Sequence, residues 1–125
     1  MAQDGAARVS MVHEGQYLVA SIHTALDDAQ MVRFRSDLVE AVGQKKSRGV
    51  IIDVSALDVL DSFGAGTVRE TAEMVRLRGA RTVMVGVQPD VAFAMTRLGM
   101  GIGSIHTALD LEEGLDLLDR VNRSR

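Results

Sequence analysis

Apolar and polar positions along the 125-residue chain alternate between two periods. Arg8 to His13 and Tyr17 to Ile22 each read as a short strand, with Glu14 and Gly15 as the turn between them. Asp27 and Asp28 then offer helix caps. Met31, Phe34, Leu38 and Ala41 follow at spacings of three and four, one face of a helix that ends between Gly43 and Gly49. Val50 to Val54 is a compact β-branched run, the kind that forms a strand covered on both faces. A loop from Ser55 to Asp61 leads into a second helix. Phe63, Val68, Ala72 and Val75 mark its inner face, and Arg76, Arg78 and Gly79 its end. Thr82 to Val87 reads as another buried strand. Pro89 sits in the first turn of a third helix, continued by Val91, Ala92, Met95 and Leu98 and closed by Gly99. Ser104 to Thr107 is a short last strand. Asp110 and Glu113 have capping-box spacing at the head of a final amphipathic helix carried by Leu111, Leu115, Leu118 and Val121. The predicted order is ββαβαβαβα, an α/β sheet with helical cover.

Length and composition fit that picture. The chain is long enough for one domain and too short for two, with an ordered core expected over about residues 8–121. Apolar residues make up 46%, enough for a core without staples. There is no cysteine, which excludes disulfides, thiol nucleophiles and thiolate metal sites and fits a reducing cytoplasm. The net charge is -3 with the charges interspersed, and the aromatics are three Phe and one Tyr. With no basic stripe and few rings for base stacking, nucleic acid is not an expected partner. The start MAQDGAARVS lacks the basic region and apolar run of a signal peptide, and no stretch has the length of a membrane span. The basic tail Arg120 to Arg125 reads as a frayed end. The heptapeptide SIHTALD occurs at 21–27 and again at 104–110. Both copies run from a strand end into a helix cap, and their separation is too long for a solenoid repeat, so they read as two similar corners.

Candidate chemistry is sparse. Ser62 lacks the preceding glycine of a nucleophile elbow, and His13, His23 and His106 have no partner at metal-ligating spacing. No catalytic set, metal site or cofactor is expected. Gly99 to Gly103 looks like part of a dinucleotide fingerprint but follows a helix and precedes a strand, the reverse of the required order. It reads as a helix-to-strand turn. Gly64 to Thr67 does open a helix after a strand, but lacks the lysine and spacing of a phosphate-binding loop.

The informative segment is VIIDVSALDVLDSFGAG, Val50 to Gly66. A buried strand delivers the chain to a helix that starts near Ser62, with Asp53, Asp58 and Asp61 flanking the point. A helix start presents backbone N–H groups and partial positive charge, so Asp61 or Ser62 is a natural N-cap, and capping is the simplest account of the serine. The same position exposes a hydroxyl to a kinase. Phosphorylation there would add about -1.5 to -2 charges, attractive to the helix end and repulsive to Asp58 and Asp61.

This segment resembles the signature of the STAS family, in which a strand ending in aspartate is followed by a loop and an Asp-Ser pair at a helix start. Ser21 to Asp28, Val50 to Phe63, Gly86 to Ala92 and Thr107 to Leu115 further resemble its RsbS-type subgroup, and with the element order they span nearly the whole chain. The resemblance implies a single STAS domain with a mixed β-sheet and flanking α-helices. It implies a cytoplasmic, non-enzymatic scaffold that co-assembles with RsbR-type STAS paralogues and with its own kind, as a dimer or larger stressosome assembly. Such scaffolds hold an RsbT-type serine/threonine kinase, release it when phosphorylated, and are reset by a phosphatase. Carried over, Ser62 is the phosphate acceptor. Asp58, Asp61, Ser62, Phe63 and Gly64 form the partner-facing surface, and Asp53 supports it. Where many STAS antagonists have a second serine, this chain has Phe63, as RsbS-type chains do. Two alternatives stay open: a stand-alone antagonist binding an anti-sigma kinase one-to-one, and a nucleotide-binding STAS module using Gly64 to Thr67.

Overall fold

The computed structural model describes residues 8–99 and 105–123. The elements follow the expected order: β1 (Val9–Glu14), β2 (Tyr17–Ile22), α1 (Asp28–Lys45), β3 (Gly49–Asp53), α2 (Ser62–Arg76), β4 (Arg81–Val85), α3 (Pro89–Arg97), β5 (Ile105–Ala108) and α4 (Leu111–Arg123). The last helix continues through Arg123, so the expected frayed tail is helical from Arg120 to Arg123. Ser104 and most of the glycine-rich turn after Gly99 lie outside the described residues.

Local chemistry accounts for the helix ends. Asp27 and Gln30 cap α1 reciprocally: Asp27 Oδ1 accepts from the Gln30 N–H at 2.8 Å, and Gln30 Oε1 accepts from the Asp27 N–H at 2.9 Å. At α4 the return bond is shifted by one residue: Asp110 Oδ1 accepts from the Glu113 N–H at 3.0 Å, and the Glu113 carboxylate accepts from the Leu109 N–H. The repeated heptapeptide therefore ends on a capping aspartate both times.

The sheet has the sequential order β1-β2-β3-β4-β5. β1 pairs antiparallel with β2, and every later pairing is parallel, from Tyr17 beside Gly49 through Val85 beside Ala108. Parallel crossovers are right-handed, and each one here steps to the next strand in the same direction, so α1, α2 and α3 fall on one face. Their buried residues, Phe34, Leu38, Val68, Val75, Val91 and Met95 among them, pack with Leu18, Ile22, Val50, Ile52 and Met84. The alternate strand residues Tyr17, Ile51, Val83 and Val85 face the other way and meet Leu118 of α4. The Val50–Val54 run is apolar on both sides because both sides are covered.

Two helix faces differ from the spacing argument. Val42, fully buried, fills the place assigned to Ala41, which is half-buried. On α3, Val91 and Met95 are buried while Ala92 and Leu98 are exposed.

The half-buried Tyr17 hydroxyl donates to Asp119 and accepts from Asn122 Nδ2 at 3.4 Å, tying β2 to α4. Burial, with the Asp119 hydrogen bond second, raises the phenol above its ordinary value of 10.0. The fold therefore favours the neutral phenol. This contribution is complete below about pH 10 and is lost as pH rises through the folded-state value. Tyr17→Phe should cost about 0.5–1.5 kcal/mol at neutral pH in urea unfolding, and should lose stability less steeply than the wild type above about pH 10.

Candidate functional site

The site forms where β3 hands the chain to α2. Asp53, at the strand end, turns its carboxylate onto the loop, and Asp53 Oδ1 accepts from the Ser55 N–H at 2.9 Å. The loop is then pinned by burial of Leu57 and Leu60, while Asp58, Val59 and Asp61 face outward. A second clamp comes from the residue that precedes α3: Gln88 Nε2 donates to the Ser55 carbonyl at 2.7 Å.

Asp61 caps α2. Its Oδ1 accepts from the Gly64 N–H at 2.7 Å, and its carbonyl accepts from the Ala65 N–H at 2.9 Å. Ser62 is thus the first helical residue and not the cap. The simplest sequence-level account of this serine is replaced: the shorter reach to the Gly64 N–H belongs to the preceding carboxylate. Among the described residues, no side-chain hydrogen bond occupies the Ser62 hydroxyl, which is exposed. Asp61→Ala should destabilise the protein by about 1 kcal/mol, read as a lower urea midpoint at unchanged slope, with Ser62 left in place.

Phe63 is not on the inner face. It is 43% exposed, and the buried positions of α2 are Gly64, Ala65, Thr67, Val68, Thr71, Ala72 and Val75. A Cβ on Gly64 would stand 2.8 Å from Leu60 Cδ1 and 3.1 Å from Asp61 Oδ1, so the glycine lets the loop close under the helix start. A Cβ on Gly66 would meet nothing within 4 Å, which leaves bare backbone on the outer side one turn beyond Ser62. Thr67 is buried, and its hydroxyl donates to the Phe63 carbonyl at 2.8 Å. With the Gly64 N–H held by Asp61 and the Thr67 hydroxyl turned inward, Gly64 to Thr67 offers little to a nucleotide phosphate. Among the described residues the strand order does not reverse either, so the sheet there has no switch-point crevice for one.

Ser62 also lines a shallow groove of about 330 Å³ with Phe93, Ala94, Arg97 and Leu98 of α3 and its end. The Arg97 guanidinium lies 5.7 Å from the centre of the Phe93 ring. Two of the groove's apolar groups are open to solvent, Phe93 at 63% and Leu98 at 39%, and Val59, on the loop that precedes α2, is 63% exposed. Periodicity misses the contribution of α3, because it arises from packing between two helices; exposed Phe93 between buried Val91 and Met95 is its one sequence-level signal. A wider cavity of about 1070 Å³ lies beyond α3, bounded by Pro89, Met95, Ile105, Thr107 and Glu113. Among the described residues, no group of three or more His, Asp or Glu side chains converges on a metal position, and no helix is long and apolar enough to cross a membrane.

Comparison with known proteins places this geometry. The STAS domain model matches residues 8–114. The RsbT co-antagonist protein RsbRA of Bacillus subtilis is 28% identical over 99 residues, covering 76% of this chain. The chain spans only about a third of such relatives, 36% of RsbRA and 32% of RsbRB. Among solved structures, Moorella thermoacetica RsbS, in a serine-to-glutamate variant, superposes with a TM-score of 0.81 at 32% identity, covering 94% of this chain and 99% of its own. A component of the stressosome, described as a signal integration and transduction hub, gives 0.80 at 32% identity, covering 91% and 99%. The anti-sigma factor antagonist SpoIIAA in its unphosphorylated form gives 0.73 at 20% identity, covering 92% and 96%, a likeness of fold alone.

Proposed function

The chain belongs to the STAS domain family, and from that premise we propose that it is a non-enzymatic stressosome scaffold whose Ser62 gates an RsbT-like serine/threonine kinase. The observation that carries this reading is the state of Ser62: exposed at the first position of α2, relieved of capping by Asp61, next to exposed Phe63, and sharing a groove with exposed Phe93 and Leu98. Such a surface suits a partner that buries apolar side chains around an uncharged hydroxyl. The kinase transfers the γ-phosphoryl group of ATP to Ser62 Oγ. An O–P bond forms, the β–γ bridge breaks, and ADP and the hydroxyl proton leave. The charge then added at the centre of the interface repels the partner and disfavours its desolvation. A phosphatase returns the surface to its binding state.

Asp58, Asp61 and Gly64 shape this face together with Phe63, and Asp53 holds the loop beneath it. The 32% identity to RsbS and to a stressosome component supports assembly with RsbR-like STAS paralogues and with further copies of this chain, in the cytoplasm. Co-expression with an RsbR-like paralogue, followed by sedimentation, tests the scaffold reading. A particle far larger than a dimer supports it. A one-to-one complex with an anti-sigma kinase and no large particle would replace it with the stand-alone antagonist.

A further inference from the structure

Ser62 shares its groove with a cation. The residues lining it are Ser62 at the start of α2 and Phe93, Ala94, Arg97 and Leu98 from α3 and its end. In the unmodified protein the Arg97 guanidinium rests over the exposed Phe93 ring, 5.7 Å from its centre. We propose, building on the reading of Ser62 as acceptor, that Arg97 is the internal counter-charge of the phosphorylated protein: it leaves the Phe93 face and pairs with the Ser62 phosphate, bridging the start of α2 to the end of α3.

The competing interactions decide the direction. A guanidinium over an exposed ring is held only weakly in its resting place; the alternative is a planar, two-pronged match to phosphate oxygens, among the strongest hydrogen-bonded ion pairs proteins make. The phosphate needs such a partner. Asp58 and Asp61 stand on the loop beside Ser62, and the Asp61 carboxylate is fixed there by its bond to the Gly64 N–H. Their repulsion works against the attraction of the helix start, and a cation in the groove tips the balance toward the phosphate. The pairing changes shape as well as charge, since a guanidinium drawn off Phe93 uncovers the ring and spans the groove. The kinase-facing surface is thus rebuilt by one side chain already in place.

The test installs phosphoserine at position 62 during translation of the full chain, so that no kinase is needed, and follows the phosphate by phosphorus NMR across pH. With Arg97 present, the second ionisation of the phosphate, ordinarily near 6, should fall roughly half a unit below its value in Arg97→Gln. Arg97→Lys should keep most of that difference, and Arg69→Gln, which removes the same charge about two turns along α2, should shift the titration far less. Matching thermal melts of the unmodified variants verify their fold. Identical titrations with and without Arg97, or an equal shift on losing Arg69, overturn the proposal. A kinase that fails to modify Ser62 would sink the acceptor reading and leave this pairing measurable; an unshifted titration would sink Arg97 alone.

Discussion

Ser62→Ala is expected to fold like the wild type, bind the switch kinase, and keep it when ATP is added. The residue is exposed, its hydroxyl is free of capping, and alanine is the better helix former, so the change in stability should stay within about 0.5 kcal/mol. The partner meets the same apolar rim, and the alanine methyl fills nearly the space of the hydroxyl. What disappears is the group that carries the charge. Ser62→Asp should show the opposite behaviour, with binding weakened at least tenfold, about 1.4 kcal/mol, because a carboxylate beside Asp58 and Asp61 must be desolvated against the partner. It mimics the phosphate only in part, having a single charge and two oxygens. Pull-down of the kinase by the three proteins, with and without ATP, reads all of these outcomes. If Ser62→Ala released the kinase on ATP as the wild type does, the gate would lie elsewhere.

The largest loss of stability should come from Gly86→Ala, away from the serine. Gly86 follows β4 with φ +72°, a left-handed conformation that L-residues with a Cβ adopt at a cost of about 1–2 kcal/mol. A Cβ there would stand 2.6 Å from Ser55 Cβ, 3.0 Å from Ser55 Cα and 3.1 Å from its nitrogen. Two of those three atoms are backbone, so no rotamer change relieves the clash. The loop must move, at a further cost of about 1–3 kcal/mol. The expected total is about 2–5 kcal/mol in urea unfolding. The damage also reaches the site, because Ser55 opens the loop that delivers Ser62 and is held there by Asp53 and Gln88. Gly86→Ala should therefore weaken kinase binding even at temperatures where it remains folded. Near-wild-type stability would show that the two strand ends are not pressed together as described.

Local pattern was enough for the element order, the caps at Asp27 and Asp110, and the two-sided burial of Val50 to Val54. Each depends on residues close in sequence. It failed where orientation rests on a longer lever. Phe63 and Val68 are five residues apart, so at 100° per residue their side chains point about 140° from each other and do not share a face. Treating the aromatic ring as core overrode that geometry. Ala41 and Val42 both satisfy the helical spacing, and the larger side chain takes the interior. The sequence offers both Asp61 and Ser62 as the cap of α2; the structure gives the role to Asp61, a choice of one residue that changes the meaning of the serine. The groove between α2 and α3, and the contact of Gly86 with Ser55, arise from elements brought together only by the sheet.

The direct test of the central claim is peptide mapping by mass spectrometry after incubation with the cognate switch kinase and ATP. The account predicts one phosphate, on Ser62, absent from Ser62→Ala. No phosphate, or one confined to another residue, would contradict it and leave Ser62 as an exposed helix residue with no part in control.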